Sequence, residues 1–134
     1  MLLEMILEQA TEKPEPKPAS QFAGRWQNRL GSSLDLSVDG TELSGTFNSG
    51  VGVWNPAAGF HVRGFVEGDA ISFCVDFGSR GSVASWSGHF VEGEDGDRLV
   101  TLWHLAQSVA HPHTDTDIWN SMMAGSDEFT RVAS

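Results

Sequence analysis

The feature that most constrains the fold is a series of short segments in which apolar and polar residues alternate, separated by tight turns. The segment Ser33–Val38 alternates cleanly, and Asp39-Gly40 directly after it is a strong hairpin signal. Gly68-Asp69 and the Glu94–Asp97 stretch separate later segments in the same way. The pattern predicts eight strands, at Gly24–Leu30, Ser33–Val38, Glu42–Asn48, Phe60–Glu67, Ala70–Phe77, Ser82–Glu92, Arg98–Ala106 and about Gly125–Val132.

Short connections between these strands favour one architecture. Consecutive antiparallel hairpins make a meander, and about eight strands close into a barrel whose interior holds packed side chains or one small ligand. Closure also removes the exposed sheet edges. We therefore expect an all-β fold, an eight-stranded antiparallel up-and-down β-barrel. An open two-sheet sandwich is the structural alternative.

The first twenty residues differ in composition from the rest. Residues 2–9 have the apolar spacing of a short amphipathic helix, and residues 11–20 (TEKPEPKPAS) form a Pro/Glu/Lys linker. We predict a flexible tail over residues 1–20, with a short helix at 2–9, and one barrel domain over residues 21–134. The apolar start lacks a basic region and carries Glu4 and Glu8, which makes it a poor signal peptide.

Charge and cysteine content exclude several classes of partner. The formal net charge of −10 argues against nucleic acid or an anionic membrane surface, because both require a basic face. The single cysteine, Cys74, excludes an intrachain disulfide. No apolar run is long enough to span a bilayer, so we expect no membrane partner.

Tryptophans indicate what the barrel interior contains. The chain has five tryptophans and no tyrosine. Trp26, Trp86 and Trp103 each lie in an alternating segment, so several strands of one sheet carry an indole. This repetition is typical either of aromatic core packing or of an aromatic-walled pocket, and the residues alone leave both interpretations open.

Five short motifs, spread over residues 24–132, occur in an order that is more specific than any one of them. They are WQNRLGS at Trp26–Ser32, GTFNS at Gly45–Ser49, SWSG at Ser85–Gly88, TLW at Thr101–Trp103, and Trp119 followed by GSDEFT at Gly125–Thr130. In this order and spacing the set resembles the first, third, sixth and seventh strands and the closing segment of the avidin/streptavidin family.

In that family the ligand is biotin, held non-covalently in the mouth of the barrel. The resemblance therefore implies biotin binding at one open end of the barrel, with no enzyme activity, no metal and no cofactor. It implies that Asn28 and Ser32 donate to the ureido oxygen, which must be paired because an unpaired buried polar group is costly. It also implies that Ser49 and Asp127 accept from the ureido nitrogens. Further residues implied at the site are Ser82 at the biotin carboxylate, Phe77, Trp86, Trp103 and Leu105 along the apolar ring and chain, Val51 and Gly52 in a closing loop, and Leu30, Phe47 and Ala84.

Two departures from the family pattern predict weaker binding than in the tightest relatives. Phe47 stands where the family has Tyr, so one phenolic donor to the ureido oxygen is absent. Ala84 stands where the family often has Thr near the ring sulfur. Losing one partner of a buried hydrogen bond costs about 1–3 kcal/mol. Phe77, in place of a Trp of some members, changes shape more than chemistry.

Trp119 lies in a polar segment that the pattern assigns to a loop, Gln107–Ile118 and the residues after it. In the family, a Trp at this place reaches across an interface and caps the ligand of the adjacent subunit. The short dimeric members lack that Trp and carry a Cys pair, which this chain does not have. The resemblance thus implies a homotetramer, a dimer of dimers, that is secreted or periplasmic.

Three other classes of function remain open on the residues alone. A lipocalin-like carrier of a small apolar ligand shares the GRW start and the barrel, but has no need of the polar set around Asn28 and Asp127.

No GxSxG, HExxH or phosphate-loop motif supports an enzyme. The His111–Asp117 segment carries two histidines and two aspartates, yet its Pro favours a solvated turn over a metal site. His104 should face outward, opposite Trp103. A purely structural protein is the third alternative.

Overall fold

The computed structural model describes residues 2–9, 18–50, 59–110 and 113–133. Helix α1 spans Leu3–Gln9, and its residues are all exposed. No helix in the described ranges is long and apolar enough to cross a membrane. The barrel follows a 3₁₀ helix at Ala19–Phe22, and its strands are β1 Gly24–Asn28, β2 Ser33–Asp39, β3 Glu42–Asn48, β4 Phe60–Glu67, β5 Ala70–Asp76, β6 Ser82–Val91, β7 Arg98–Gln107 and β8 Met122–Arg131. A second 3₁₀ helix lies at Gly78–Arg80, and helix α2 spans Asp115–Asn120.

Each strand pairs antiparallel with the next along the chain, and β8 pairs back with β1. Trp26 lies opposite Arg131, and this last pairing closes the barrel. The predicted up-and-down barrel is therefore confirmed, and the open sandwich is excluded. Tight turns such as Asp39-Gly40 and Gly68-Asp69 make consecutive strands neighbours, because a short connection allows only antiparallel pairing with the next strand.

The end of the polar segment before β8 differs from the prediction. We expected a loop there, whereas Asp115–Asn120 is helical and β8 begins at Met122, three residues before the predicted Gly125. A capping box explains the helix, since the Thr114 side chain accepts from the Asp117 amide and the Asp117 side chain accepts from the Thr114 amide. The Thr-x-x-Asp signal was present in the sequence, but it is too short to compete with the loop composition around it.

One row of inward-facing residues crosses the middle of the barrel. Phe73 pairs with Trp86, Trp86 with Trp103, and Trp103 with Gly125. A Cβ atom on Gly125 would lie 2.5 Å from the Trp103 ring, so only glycine leaves room for this indole. Large rings beside small residues let a narrow barrel fill its interior without overpacking.

The 3₁₀ helix Ala19–Phe22 covers one end of the barrel, which we call the closed end. Phe22 and Trp26 have no exposed surface, and Phe90 contacts both of their rings edge-on, at centroid distances of 5.8 and 6.2 Å. The Trp26 Nε1 donates to the Phe22 carbonyl oxygen over 2.9 Å. The core therefore includes Phe22, one residue into the predicted barrel domain.

Arg131 holds this cover in place. Its Nε donates to Asp97 Oδ2 over 3.0 Å, and its two terminal nitrogens donate to the carbonyl oxygens of Ala23 and Gln21. The guanidinium also lies 4.2 Å from the centroid of the Trp26 ring, within the range of a cation–π contact. The last strand and the segment before the first strand are thus joined through one side chain.

Candidate functional site

The candidate site lies at the opposite end of the barrel, the site end, where β1 ends and β2 begins. Asn28 organises the turn there, because its Oδ1 accepts from the amides of Leu30 and Ser32, at 3.1 and 2.9 Å. Its Nδ2 donates to Asp127 Oδ2 on β8 over 3.0 Å. One amide side chain therefore fixes a turn and orients a carboxylate 99 residues away in the chain.

Asp127 is half-buried and lies on the inward face of β8. Its Oδ1 accepts from the Glu128 amide over 2.9 Å, and its carbonyl oxygen accepts from the Thr101 hydroxyl over 2.8 Å. A carboxylate has about four acceptor positions, so the two bonds that Asp127 accepts from described residues leave capacity for donors of a ligand. No role was predicted for Thr101 from the sequence. Its position opposite Asp127 follows from the register between β7 and β8, and the sequence signal for it is the alternation of inward- and outward-facing residues on both strands.

Ser32 is buried, and its hydroxyl oxygen accepts from the Gly50 amide over 3.0 Å. No acceptor for the hydroxyl hydrogen lies among the described residues, so this hydrogen can be donated to a ligand. The backbone of Gly50 lies against the turn so closely that a Cβ would be 2.3 Å from the Leu30 carbonyl oxygen. Glycine at position 50 is therefore what brings the end of β3, with half-buried Ser49, against the Asn28 turn. The predicted lid residues Val51 and Gly52 lie outside the described residues.

Aromatic rings form the inner wall beside these polar groups. The Trp86 ring stacks on Phe73, with 5.2 Å between centroids and 11° between planes, and lies 5.5 Å from Phe47. Phe77 contacts Phe47 edge-on at 5.8 Å and Phe60 at 5.0 Å. Phe60 and Phe73 were not among the predicted lining residues, although their alternation with polar neighbours already indicated an inward face.

Two buried polar atoms in this region have no hydrogen-bond partner among the described residues: Trp86 Nε1 and Asn48 Oδ1. Buried donors and acceptors are nearly always paired, since leaving one unpaired costs about 1–3 kcal/mol. Sites that bind polar ligands are where such exceptions are expected. Trp26 differs from Trp86, because its Nε1 donates to the Phe22 carbonyl oxygen.

The remaining predicted site residues take different positions. Ala84 is buried and pairs with Leu105, which packs against the core together with Trp103. Ser82 is half-buried at the first position of β6. Leu30 is 63% exposed on the turn, so within one chain its side chain faces solvent rather than the barrel interior.

Trp119 is on helix α2, not in a loop, and 71% of its surface is exposed. Beside it is a groove of about 560 Å³ on the outer face of the barrel, lined by apolar residues that include Val83, Met122 and Met123. No aspartate or glutamate is among the described residues of this groove. A large exposed indole beside an apolar groove is typical of a protein–protein interface.

The histidine-rich segment gives no metal site in the described part of the chain. No group of three or more His, Cys, Asp and Glu side chains there could hold a metal ion, while His111 and Pro112 lie outside the described residues. Asp117 accepts from the amides of His113 and Thr114, so its carboxylate caps α2. His104 is exposed, as its alternation with Trp103 predicted.

The site end therefore presents convergent donors and acceptors next to an aromatic wall, an arrangement that suits a ligand with a small polar head and an apolar body. Comparison with known proteins gives a family: the model of the avidin family matches residues 17–132. Among solved structures, the chain is similar to xenavidin, at 25% identity and a TM-score of 0.69, over 83% of this chain and 97% of that one. It is also similar to rhizavidin in a rhizavidin–biotin complex, at 23% identity and a TM-score of 0.71, over 88% and 98% of the two chains.

Proposed function

The chain belongs to the avidin family, and from this we propose that it binds biotin non-covalently at the site end of the barrel, without catalysis. The observation that carries the proposal is the bonded set Asn28–Asp127 with Ser32, held beside the Trp86 wall. A lipocalin-like carrier has no need of such a set. Rhizavidin, which the chain is similar to, was solved with biotin bound.

The polar set matches a ureido group in number and polarity. Asn28 Nδ2 uses one hydrogen on Asp127 and retains a second, which donates to the ureido oxygen together with the Ser32 hydroxyl. Asp127 accepts from one ureido nitrogen through a charge-assisted bond, and Ser49 accepts from the other. Ser82, at the first position of β6, meets the carboxylate, and the rings around Phe47 and Trp86 enclose the apolar body.

Calorimetry with biotin tests the proposal directly. We expect the natural chain to release heat and saturate at one biotin per chain, and Asp127→Ala to lose at least about thirtyfold in affinity, because a hydrogen bond to a charged group is worth about 2 kcal/mol. Glu128→Ala, which removes an exposed neighbouring carboxylate, serves as the matched control and should leave affinity unchanged. Failure of the natural chain to bind would refute the proposal.

We propose further that affinity lies below that of the tightest relatives. Phe47 has no hydroxyl to donate, and Ala84 is a buried methyl where a hydroxyl would reach the ring sulfur. Biotin dissociation should slow about tenfold in Phe47→Tyr, since one recovered hydrogen bond is worth about 1.4 kcal/mol. Unchanged dissociation in the Tyr variant would contradict this explanation.

An exposed Trp119 beside the apolar groove supports a homotetramer in which this indole caps the site of an adjacent subunit. Native mass measurement at micromolar protein, with and without biotin, should give four chains. Trp119→Ala should speed biotin dissociation while Ile118→Ala, an exposed neighbour on α2, should not. A dimer under both conditions would contradict the tetramer.

Secretion or a periplasmic location stays a prediction from the family resemblance. Fractionation of the cells that make the protein, with an antibody to the barrel, is the measurement that checks it.

A further inference from the structure

Two inward-facing tryptophans differ in one respect. The Trp26 Nε1 donates to the Phe22 carbonyl oxygen, whereas the Trp86 Nε1 is buried and has no acceptor among the described residues. Both side chains are almost fully buried, at 0% and 6% exposed. The difference therefore lies in what surrounds the two N–H groups, and not in their access to solvent.

The surroundings of Trp86 are aromatic. Phe73 covers one face of the indole, and the Phe47 ring lies 5.5 Å away, at 36° to it. Trp103 is its neighbour in register on β7. Aromatic faces are weak acceptors for an N–H group, so these contacts satisfy the donor poorly. An unmet buried donor is equivalent to about a ten- to hundredfold penalty in an equilibrium constant.

Phe47 is the position at which the proposed site lacks a hydrogen-bond donor to the ligand. The proposed biotin site has an amide hydrogen from Asn28 and a hydroxyl hydrogen from Ser32 for the ureido oxygen, but Phe47 has no hydroxyl to add. When the ureido nitrogens donate to Asp127 and Ser49, negative charge shifts onto the ureido oxygen, which makes that oxygen a stronger acceptor for any further donor beside it. Trp86 Nε1, which finds no acceptor in the described ranges, thus belongs to the ring next to Phe47, the position where a donor is missing.

We propose that the Trp86 indole N–H donates to the ureido oxygen of bound biotin and so supplies the third donor that Phe47 lacks. This inference rests on the proposed biotin function and deepens it, because it makes Trp86 a specificity residue in addition to a wall. The site then selects ligands that bring a strong acceptor to the aromatic wall, and it leaves ligands without one with an unmet donor.

Substitution of Trp86 by Phe removes the N–H and keeps an aromatic ring. We expect biotin affinity to fall about tenfold or more in Trp86→Phe, by calorimetry or by dissociation rate. Trp103→Phe, which also shortens an inward indole, is the matched control and should cost less. The melting temperature of each biotin-free variant checks that the barrel is folded; a folded Trp86→Phe that binds biotin as tightly as the natural chain would overturn the inference.

Desthiobiotin identifies the acceptor, because it keeps the ureido oxygen and has no ring sulfur. The loss caused by Trp86→Phe should be the same for biotin and desthiobiotin. A loss seen with biotin alone would assign the N–H to the sulfur and overturn the inference. Asp127→Ala tests whether the Asp127 carboxylate is the acceptor of the Trp86 N–H. Trp86→Phe should still lower biotin affinity when Asp127 is already Ala. If it no longer does so, the indole acts through the carboxylate and the inference is overturned.

A double-mutant cycle with Phe47→Tyr completes the test. If both side chains serve one oxygen, adding the phenol should gain more affinity in the Trp86→Phe background than in the natural chain, by about threefold or more. Additive effects would count against a shared acceptor. Absence of biotin binding by the natural chain would instead refute the proposed function itself, so the two failures are distinguishable.

Discussion

The closed end and the site end of this barrel are built from the same sheet, yet they treat polar atoms in opposite ways. At the closed end the Trp26 N–H, the Arg131 guanidinium and the Gln21 amide all donate to backbone carbonyl oxygens. At the site end the Trp86 N–H is buried with no acceptor in the described part of the chain, and the Asp127 carboxylate can accept more bonds than the two it receives from described residues.

The difference indicates how stability and binding are separated along one barrel. Hydrogen bonds that are already formed in the free protein contribute to the free energy of folding. Polar groups without a partner in the free protein contribute to ligand affinity when the ligand pairs with them. The closed end should therefore control the free energy of unfolding, and the site end should control ligand affinity. Four predictions test that division.

The largest effect is expected at Arg131. Arg131→Met retains much of the apolar stem but removes the bonds to Asp97, Ala23 and Gln21, leaving two carbonyls and a carboxylate short of donors. The side chain is 30% exposed, and we expect the free energy of unfolding to fall by about 3 kcal/mol in urea titration. Biotin affinity of the folded variant should stay within about twofold. A large loss of affinity would break the division between the two ends.

The next effect is expected at Gly125. Gly125→Ala places a Cβ 2.5 Å from the Trp103 ring and must move that indole or the strand. Overpacking of this kind costs about 1–3 kcal/mol, and because Trp103 is part of the inner wall the cost should appear in biotin dissociation as well as in melting. Ser126→Ala, on the exposed outer face of the same strand, is the control. Equal dissociation rates for Gly125→Ala and the natural chain would show that the wall tolerates movement.

A matched pair of substitutions sharpens the comparison further. Trp26→Phe leaves the Phe22 carbonyl oxygen without its donor, and we expect the biotin-free protein to lose about 1–2 kcal/mol more stability than it does from Trp86→Phe. Chemical denaturation of both variants without ligand measures the difference. Equal losses would mean that the Trp86 N–H has a partner in solution.

The smallest effect is expected on the outer surface. Arg98 and Glu128 form an ion pair of 2.7 Å, with side chains 44% and 48% exposed. Exposed pairs are worth about 0–1 kcal/mol and are screened by salt, so Arg98→Ala should change unfolding by about 0.5 kcal/mol or less. If Arg98→Ala destabilised the protein as much as Arg131→Met, the charge of the arginine, and not its hydrogen bonds, would explain the stability that the closed end provides.

Much of the fold was predictable because its signals are local. Asp39-Gly40 and Gly68-Asp69 marked hairpins that the structure contains, and the bounds predicted for β3 and β4 agree with those observed. The first strand was predicted to run to Leu30 but ends at Asn28, where the Asn28 turn begins. The larger errors concern α2 and the start of β8, where a capping box of two residues and a loop composition gave conflicting signals. The roles of the candidate site residues stay a prediction from resemblance; the structure shows that Asn28 and Asp127, which are far apart in the chain, are hydrogen-bonded, and neither residue indicates this individually.

The sequence by itself determined the alternation, the hairpins and hence which side chains face inward, because a strand has a period of two residues that can be counted along the chain. Only the tertiary structure decided which inward-facing polar groups have a hydrogen-bond partner in the free protein. Trp26 and Trp86 are the same residue type on the same kind of strand, but Phe22 brings a carbonyl to one and Phe47 and Phe73 bring rings to the other. A hydrogen-bond partner across the barrel is set by register, closure and packing of distant segments, and no local pattern encodes it.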